Sequence, residues 1–221
     1  MHRLYQFATS PFCAKVRKIL DYKGLDYEII EVDYLERKEL FAASGQLMVP
    51  ALTMPSGATI VDSEAIAVAL EDLSPEPTIF PTGWRGVHLG LARYFDSELE
   101  DALFRAAIPY ELRHFARQGR DHEAFYRLIR ERKYGAGFCD QMIRDRNENR
   151  DRAFQMLAPL DDSFAERAFL FGRIGYADFA LYGQLTLLSL SEEFALPDAN
   201  EGLRAFFGRM DRITAKIDPN A

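Results

Sequence analysis

The sequence predicts a small α/β domain followed by an all-helical domain. Strand and helix signals alternate as far as Leu73, in the order β-α-β-α-β-β-α. The stretch SPEPTIFPTGW, from Ser74 to Trp84, carries three prolines and little periodicity, which is typical of a linker. Beyond Trp84 every apolar pattern has helical spacing and no convincing strand appears. The predicted units are an α/β domain over residues 1–74, a linker over 75–84 and a helical domain over 85–221.

In the first domain, short apolar runs bounded by turn formers predict the strands, and glycines end the first two helices. The residues Pro55, Ser56 and Gly57 form a turn between the last two strands, which indicates an antiparallel hairpin. The first crossover should be right-handed and join parallel strands. Strands are predicted over residues 2–7, 26–32, 49–54 and 58–62, and helices over 11–24, 36–45 and 63–73.

In the second domain, the segment from Tyr176 to Leu190 is almost continuously apolar over four helical turns. Such a segment suits a helix buried at the centre of a bundle. The last pattern, from Glu201 to Ile213, is amphipathic. Helices are predicted over residues 86–108, 122–135, 138–166, 176–190 and 201–213.

Composition makes several classes of protein improbable for this chain. The 221 residues are 48% hydrophobic and carry a formal charge of −7, which disfavours nucleic-acid binding. Between Arg113 and Arg152 basic residues outnumber acidic ones by 11 to 7, and a solvated helical face is favoured there over an anion-attracting patch. No stretch approaches the roughly 18 apolar residues of a membrane span. Two cysteines are too few for a disulfide framework, so we expect a reducing, cytoplasmic setting and no membrane partner.

The turn SPFC, at residues 10–13, has two readings. Locally, Ser10 is a helix N-cap and Pro11 occupies the first helical position, where its missing N–H costs nothing. The same geometry aims free amides and the positive end of the helix dipole at one point beside a hydroxyl, which is an anion site. A thiolate held there would have a depressed pKa. Cys13, in the first turn, is either a small packing residue or a thiol of lowered pKa.

The stretch SPFCAKVR, residues 10–17, resembles the active-site turn of serine-type and cysteine-type glutathione transferases. Its first four residues are also similar to the Cys-Pro-Tyr-Cys of glutaredoxins, with serine in the first position. The resemblance implies a thioredoxin-like N-terminal domain, a helical-bundle C-terminal domain and glutathione as co-substrate. Catalysis would fall to Ser10, with Cys13 as the alternative.

Further motifs carry the same resemblance. Val49 and Pro50 match the family's cis-proline, which exposes the preceding backbone to glutathione; only an X-Pro bond takes the cis form at a cost of about 0.5–1 kcal/mol. Asp62 and Ser63 match the acidic-Ser pair that opens the third helix and binds the γ-glutamyl end. We read Ser63 as that helix's cap. The resemblance assigns six residues to substrate binding: Phe12, Lys38, Val49, Pro50, Asp62 and Ser63.

The segment GRIGYADF, residues 172–179, resembles the motif that starts the family's central helix with a capping box. Gly175 stands where a Ser or Thr is expected, so that only half of the box remains, with Asp178 at the third helical position. We assign this motif to folding.

The resemblance implies a transferase that activates the glutathione thiolate for attack on a small apolar electrophile, in a cleft walled by the helical domain. The alternatives are a thiol–disulfide oxidoreductase using Cys13, and a transferase-like protein that binds ligands without catalysis. A homodimer is expected from the family, and no metal ligands are predicted.

Several assignments stay open in the sequence. Tyr5 is a rival donor to the sulfur, although alignment puts Gln6 nearer the place of the family's phenol. Arg37 competes with Lys38 for the glycine carboxylate of glutathione. Arg105 either pairs with Asp101 one helical turn away or contacts a ligand. Of five aromatic residues in the first helix of the helical domain or after it, one or two should line the acceptor pocket: Tyr94, Phe95, Phe104, Tyr110 and Phe115.

Overall fold

A computed structural model describes residues 1–215 of the chain. Its first part contains a four-stranded sheet in the order β2-β1-β3-β4. Strand β1 pairs in parallel with β2 and antiparallel with β3, and β3 pairs antiparallel with β4, as the predicted crossover and hairpin require. The strands are β1 (His2–Gln6), β2 (Tyr27–Glu31), β3 (Ala51–Thr53) and β4 (Thr59–Val61).

Three helices accompany the sheet: α1 (Pro11–Lys23), α2 (Lys38–Ser44) and α3 (Ser63–Leu73). Helix α1 ends at Gly24, whose φ of 63° lies in the left-handed region that glycine adopts without strain. The cap of α3 differs from the sequence prediction. Asp62, not Ser63, caps this helix, and its Oδ1 accepts the amides of Glu64 and Ala65 at 2.9 and 3.0 Å. Asp62 has a φ of 74°, which aspartate tolerates better than most residues.

The second part is helical, and no strand occurs between residues 75 and 215. No helix or strand lies between Leu73 and Arg85, where the linker was predicted. A π-helical turn, Phe95–Leu99, joins α4 to α5, and short 3₁₀ turns, Thr186–Leu190 and Glu192–Phe194, follow α9. The helices are α4 (Arg85–Tyr94), α5 (Glu100–Gln118), α6 (Arg120–Tyr134), α7 (Phe138–Arg144), α8 (Arg146–Glu166), α9 (Tyr176–Leu185) and α10 (Glu201–Arg212).

Helix α9 lies at the centre, as its apolar sequence predicts. All ten of its residues are buried, and it packs against both α1 and α4. Gly183 allows the close approach of α9 to α1, because a Cβ there would come within 2.5 Å of the Pro11 carbonyl oxygen. One apolar core runs from Leu4 in the sheet through Phe179 to Phe206 in α10. The start of α1 is therefore fixed against the helical part of the molecule.

Candidate active site

The turn before α1 has the predicted cap geometry. Ser10 has an extended backbone, with φ −78° and ψ 120°, and its Oγ accepts the amide of Cys13 at 3.3 Å. The amide of Ala14 donates to the Ser10 carbonyl at 3.0 Å, which is the first hydrogen bond of the helix. Pro11 occupies the first helical position. Ser10 is partly exposed, and its hydroxyl lies beside the amide-rich end of the helix.

Ser10 lines a cleft of about 460 Å³ between the two parts of the chain. Phe7, Phe12, Tyr34 and Val49 lie on the sheet side of this cleft, and α5 and α6 supply the opposite wall. The helical wall combines aromatic and charged residues: Glu100, Phe104, Glu111, Phe115, Arg130, Lys133 and Tyr134. A cavity of this size accommodates a small organic ligand.

Cys13 is inaccessible. Its side chain is 0% exposed. Burial raises the pKa of the Cys13 thiol to about 11, although a hydrogen bond from Ser10 and the charge of Arg17 act in the opposite direction. A thiol of that pKa is almost entirely protonated at neutral pH. Both observations favour the packing role of Cys13 and weigh against its assignment as a catalytic residue.

The two candidate cations on α2 differ in position. Lys38 is 86% exposed, pairs with Glu36 and does not line the cleft. Arg37 lines the cleft, with its guanidinium 4.6 Å from the centre of the Tyr34 ring and hydrogen-bonded to the Tyr34 and Leu47 carbonyls. The position of the two side chains therefore favours Arg37 over Lys38, because Arg37 lines the cleft and Lys38 faces solvent.

The remaining predicted binding residues fall into two groups. The Val49–Pro50 peptide bond is cis, and Val49 lines the cleft beside Phe12 and Ser10. Asp62 and Ser63 do not contribute to its lining. Ser63 is buried at the start of α3, while Asp62 is exposed and directs one carboxylate oxygen at the amides of its own helix.

The tyrosine rival is excluded by burial. Tyr5 is 2% exposed and belongs to the apolar cluster beneath the sheet, so that its phenol does not line the cleft. Gln6 is also buried, and its side chain is held by Glu31 and Arg17. Ser10 is therefore the only one of the three candidate donors to the sulfur that lines the cleft.

The aromatic candidates are divided by the packing of α5. Phe104 and Phe115 line the cleft. Phe95 belongs to the core, Tyr110 stacks on Phe194 with ring centres 5.1 Å apart, and Tyr94 is exposed on α4. The predicted ion pair between Arg105 and Asp101 is present at 2.8 Å.

The charged residues of the helical wall were not among the candidates that the sequence predicted. Glu111 is buried, accepts a hydrogen bond from the Tyr126 hydroxyl, and lies 3.9 Å from the Arg130 guanidinium. Burial raises the pKa of Glu111. Its position among Ile108, Leu112 and Phe115 on one apolar helix face is the signal that could have identified it. Arg130 lies within the basic segment interpreted as a solvated face, but only 22% of its side chain is exposed.

Glu100 is the second carboxyl group of this wall. It follows the π-helical turn directly, at the start of α5. Burial raises the pKa of Glu100 to about 7, although the charge of Lys133 partly opposes the shift. Glu100 is therefore part protonated at neutral pH, in the same cleft as Ser10.

A buried ion pair holds α1 beneath the site. Lys15 is 0% exposed, and its ammonium group lies 2.5 Å from Asp96 and 3.3 Å from the Tyr176 hydroxyl. Asp96 also accepts the Gln184 amide at 3.0 Å. These contacts join α1, α9 and the π-helical turn that precedes Glu100. They position the Ser10 turn relative to the helical wall.

The architecture and the site define a thioredoxin-like domain joined to a helical domain, with a cleft between them. Two family models match the chain: the glutathione S-transferase N-terminal domain over residues 4–78, and the C-terminal domain over residues 141–209. Together they cover more than half of the sequence. The chain belongs to the glutathione S-transferase family.

Individual relatives are distant. Prostaglandin E synthase 2 of Danio rerio is 44% identical over 68 residues, which are 31% of this chain and only 18% of that protein. A probable glutathione S-transferase of Nicotiana tabacum is 26% identical over 181 residues, covering 80% of this chain and 67% of the tobacco protein.

Solved structures share the fold at low identity. A glutathione S-transferase of Ceriporiopsis subvermispora in complex with glutathione has a TM-score of 0.76 at 21% identity, covering 100% of this chain and 99% of its own. Glutaredoxin 2 of Salmonella typhimurium in complex with glutathione has a TM-score of 0.77 at 16% identity, covering 100% and 97%. Within residues 1–215, no helix has the length and apolar character needed to cross a membrane.

Proposed function

We propose that the protein is a glutathione transferase that activates the thiolate of glutathione at Ser10 and directs it at a small electrophile. The observation that carries this proposal is the position of Ser10. Its hydroxyl caps α1 at the wall of the cleft, whereas Cys13, three residues on, is buried and protonated. The fold shared with two proteins crystallised with glutathione supports the choice of ligand.

The chemistry is stabilisation of an anion. The thiol of bound glutathione loses its proton to solvent, and the sulfur accepts hydrogen bonds from the Ser10 hydroxyl and from the Phe12 amide at the start of α1. Each unit by which the thiol pKa falls corresponds to about 1.4 kcal/mol of preferential binding of the thiolate. The ionised sulfur then attacks an electrophile held against α5 and α6.

Contacts to the rest of glutathione follow from the residues around Ser10. The backbone of Val49, before cis-Pro50, is proposed to pair with the cysteinyl portion, and Phe12 to cover it. Arg37, which lines the cleft, replaces Lys38 as the proposed partner of the glycine carboxylate. Asp62 is proposed to bind the α-ammonium through its second carboxylate oxygen, since both of its hydrogen bonds to α3 use Oδ1.

The test is a glutathione titration that follows the ultraviolet absorbance of the thiolate. The wild-type protein should lower the apparent pKa of the bound thiol, and Ser10→Gly should return it toward the free value while glutathione still binds. Glycine is preferred to alanine at this position, because it costs a helix cap only a few tenths of a kcal/mol. Ser56→Ala, in the turn between β3 and β4, is the matched control.

The competing functions give different results in the same set of variants. Thiol–disulfide exchange that depends on Cys13 and is indifferent to Ser10→Gly would replace the proposal with the oxidoreductase. Tight glutathione binding without a shifted thiol pKa, and without turnover of any electrophile in a broad panel, would identify a binding protein. Retained thiolate stabilisation in Cys13→Ala supports Ser10.

We also propose that the protein is a homodimer. Three large apolar side chains at the end of the linker and on α4 are exposed: Trp84 at 47%, Val87 at 48% and Tyr94 at 41%. Sedimentation equilibrium of the wild type should give twice the chain mass, and Val87→Lys should shift the protein toward a monomer. A monomeric wild type at micromolar concentration contradicts this proposal.

A further inference from the structure

The wall that faces Ser10 is not a plain apolar surface. Its centre is Arg130, whose guanidinium lies 4.7 Å from the centre of the Phe104 ring and 4.6 Å from that of Tyr126. These two rings hold the planar cation in place, an arrangement that arginine adopts more readily than lysine. The side chain is 22% exposed, and Arg130 lines the cleft.

The countercharge of Arg130 lies behind it. Glu111 is 3.9 Å from the guanidinium, which is longer than a hydrogen bond, and it accepts a hydrogen bond from the Tyr126 hydroxyl. Glu111 therefore compensates the charge of Arg130 without a direct hydrogen bond to it, while Tyr126 contacts both. Within residues 1–215, the Nε of Arg130 is buried and has no hydrogen-bond partner.

The balance of charge on the wall favours an anion. Lys133, one turn further along α6, is exposed at the cleft and makes no ion pair in the described part of the chain. Glu100 is the remaining carboxyl group that lines the cleft, and its burial favours the neutral form. With Glu111 paired to Arg130, the surface that meets a ligand is left with an excess positive charge.

We infer that the electrophile carries a carboxylate on a flat apolar body, with Arg130 and Lys133 binding the carboxylate and the rings of Phe104, Phe115 and Tyr134 contacting the body. The inference rests on the proposed function and names the class of its second substrate. A guanidinium that lines a cleft can bind a carboxylate through two parallel hydrogen bonds, which fixes the orientation of the ring attached to it.

The test uses two electrophiles of nearly equal shape, a chloronitrobenzoate and the corresponding chloronitrobenzamide. In either reaction the glutathione sulfur forms a bond to the ring carbon, chloride leaves with its electron pair, and the thiol proton goes to solvent. The wild type should prefer the benzoate in kcat/KM by roughly tenfold, the ratio expected for one charge-assisted hydrogen-bonded contact. The two conjugates are also prepared and their binding measured by calorimetry, so that preference is read even without turnover.

Three variants test whether the helical wall of the cleft causes the preference for the benzoate. Lys133→Gln should reduce the benzoate preference severalfold, because it removes one of the two cations proposed to bind the carboxylate. Arg130→Met combined with Glu111→Gln should abolish the preference while leaving no unpaired buried carboxylate, and thermal unfolding confirms that the variant is folded. Arg132→Gln, an exposed neighbour that does not line the cleft, is the control of equal charge and should behave as the wild type.

The outcomes separate the inference from the proposed function. Equal use of the benzamide and the benzoate, or a preference unaffected by Arg130 and Lys133, overturns the inference and leaves the transferase intact. A loss of glutathione affinity in Arg130→Met/Glu111→Gln, with both electrophiles affected alike, also overturns it, since Arg130 would then bind glutathione. Failure to bind either conjugate overturns the inference. A titration with glutathione alone then decides whether the proposed function fails as well.

Discussion

His88 supplies the hydrogen-bond acceptor that Gly175 lacks. The Nδ1 of His88, on α4, accepts the amide of Ala177 at 3.2 Å, in the first turn of α9. Asp178 completes the other half of the capping box by accepting the Gly175 amide at 2.9 Å. The half of the capping box for which Gly175 has no side chain is therefore completed by a residue of another helix. Glycine is required there, because a Cβ on Gly175 would come within 2.2 Å of the His88 ring.

This relationship predicts a compensating pair of substitutions. Gly175→Ser should destabilise the protein by about 1–3 kcal/mol, because the new side chain collides with the buried imidazole. His88→Ala should also destabilise it, by at least the roughly 1 kcal/mol of a lost cap. In Gly175→Ser/His88→Ala the serine has room to cap α9 itself. Urea unfolding of the four proteins should show the double variant to be more stable than the sum of the single changes allows; additive free energies would contradict this account.

Glu100 predicts a pH dependence of stability. Its pKa is raised to about 7 in the folded protein, whereas an unfolded glutamate has an ordinary pKa of about 4.3. Between these values the folded state binds more protons, so the contribution of Glu100 falls as pH rises toward 7. Glu100→Gln should remove this part of the slope and raise stability at pH 8 relative to the wild type. The charged groups that act on it are Lys133, Asp101, Arg130 and Glu111.

Denaturant unfolding at a series of pH values measures the effect, with Glu98→Gln, an exposed neighbour, as the control. An unchanged slope in Glu100→Gln would show that Glu100 is ionised throughout this range.

The two thiols should be unreactive in the folded protein. Cys13 and Cys139 are both 0% exposed, and burial raises both pKa values, that of Cys13 to about 11. Titration with a disulfide reagent at pH 8 should therefore detect almost no thiol in the native state and two after unfolding. Cys139→Ala provides the control for assigning any residual reaction. A fast-reacting Cys13 would reopen the oxidoreductase reading.

The ion pair beneath the site should matter to both stability and activity. Lys15→Met leaves Asp96 without its cation, and breaking a buried pair in this way costs about 3–5 kcal/mol. Lys38→Met removes the same charge from an exposed position on α2 and should stay within about 0.5 kcal/mol of the wild type. Chemical denaturation measures both. A loss below about 1 kcal/mol in Lys15→Met would show that water compensates Asp96.

Local patterns were sufficient to predict the order of elements in the α/β domain and the start of α1. They missed the breaks in the helical domain, because α4 ends at Tyr94 within the helix predicted over 86–108, and α7 and α8 divide the one predicted over 138–166. Ser10 and Pro11 begin the helix, Gly24 ends it, and the apolar run from Tyr176 became the central helix, because capping, chain reversal and burial are decided by residues within a few positions of each other. The prediction of the cap of α3 was wrong, and this choice is also made between neighbouring residues. Asp62 and Ser63 are both good caps, and the backbone of Asp62, with φ 74° and ψ 130°, places it before the first helical residue.

The sequence by itself determined the fold class, the family and the turn at Ser10, because the patterns and motifs that indicate them each consist of residues close together in the chain. Only the tertiary structure decided which side chains share the cleft. Arg37 lines the cleft and Lys38 does not, while Cys13 is buried. Glu100 and Arg130 both line the cleft, although they belong to different helices. Exposure, charge pairing and pKa depend on neighbours far apart in the chain, and those neighbours are fixed only when α1, α5, α6 and α9 pack together.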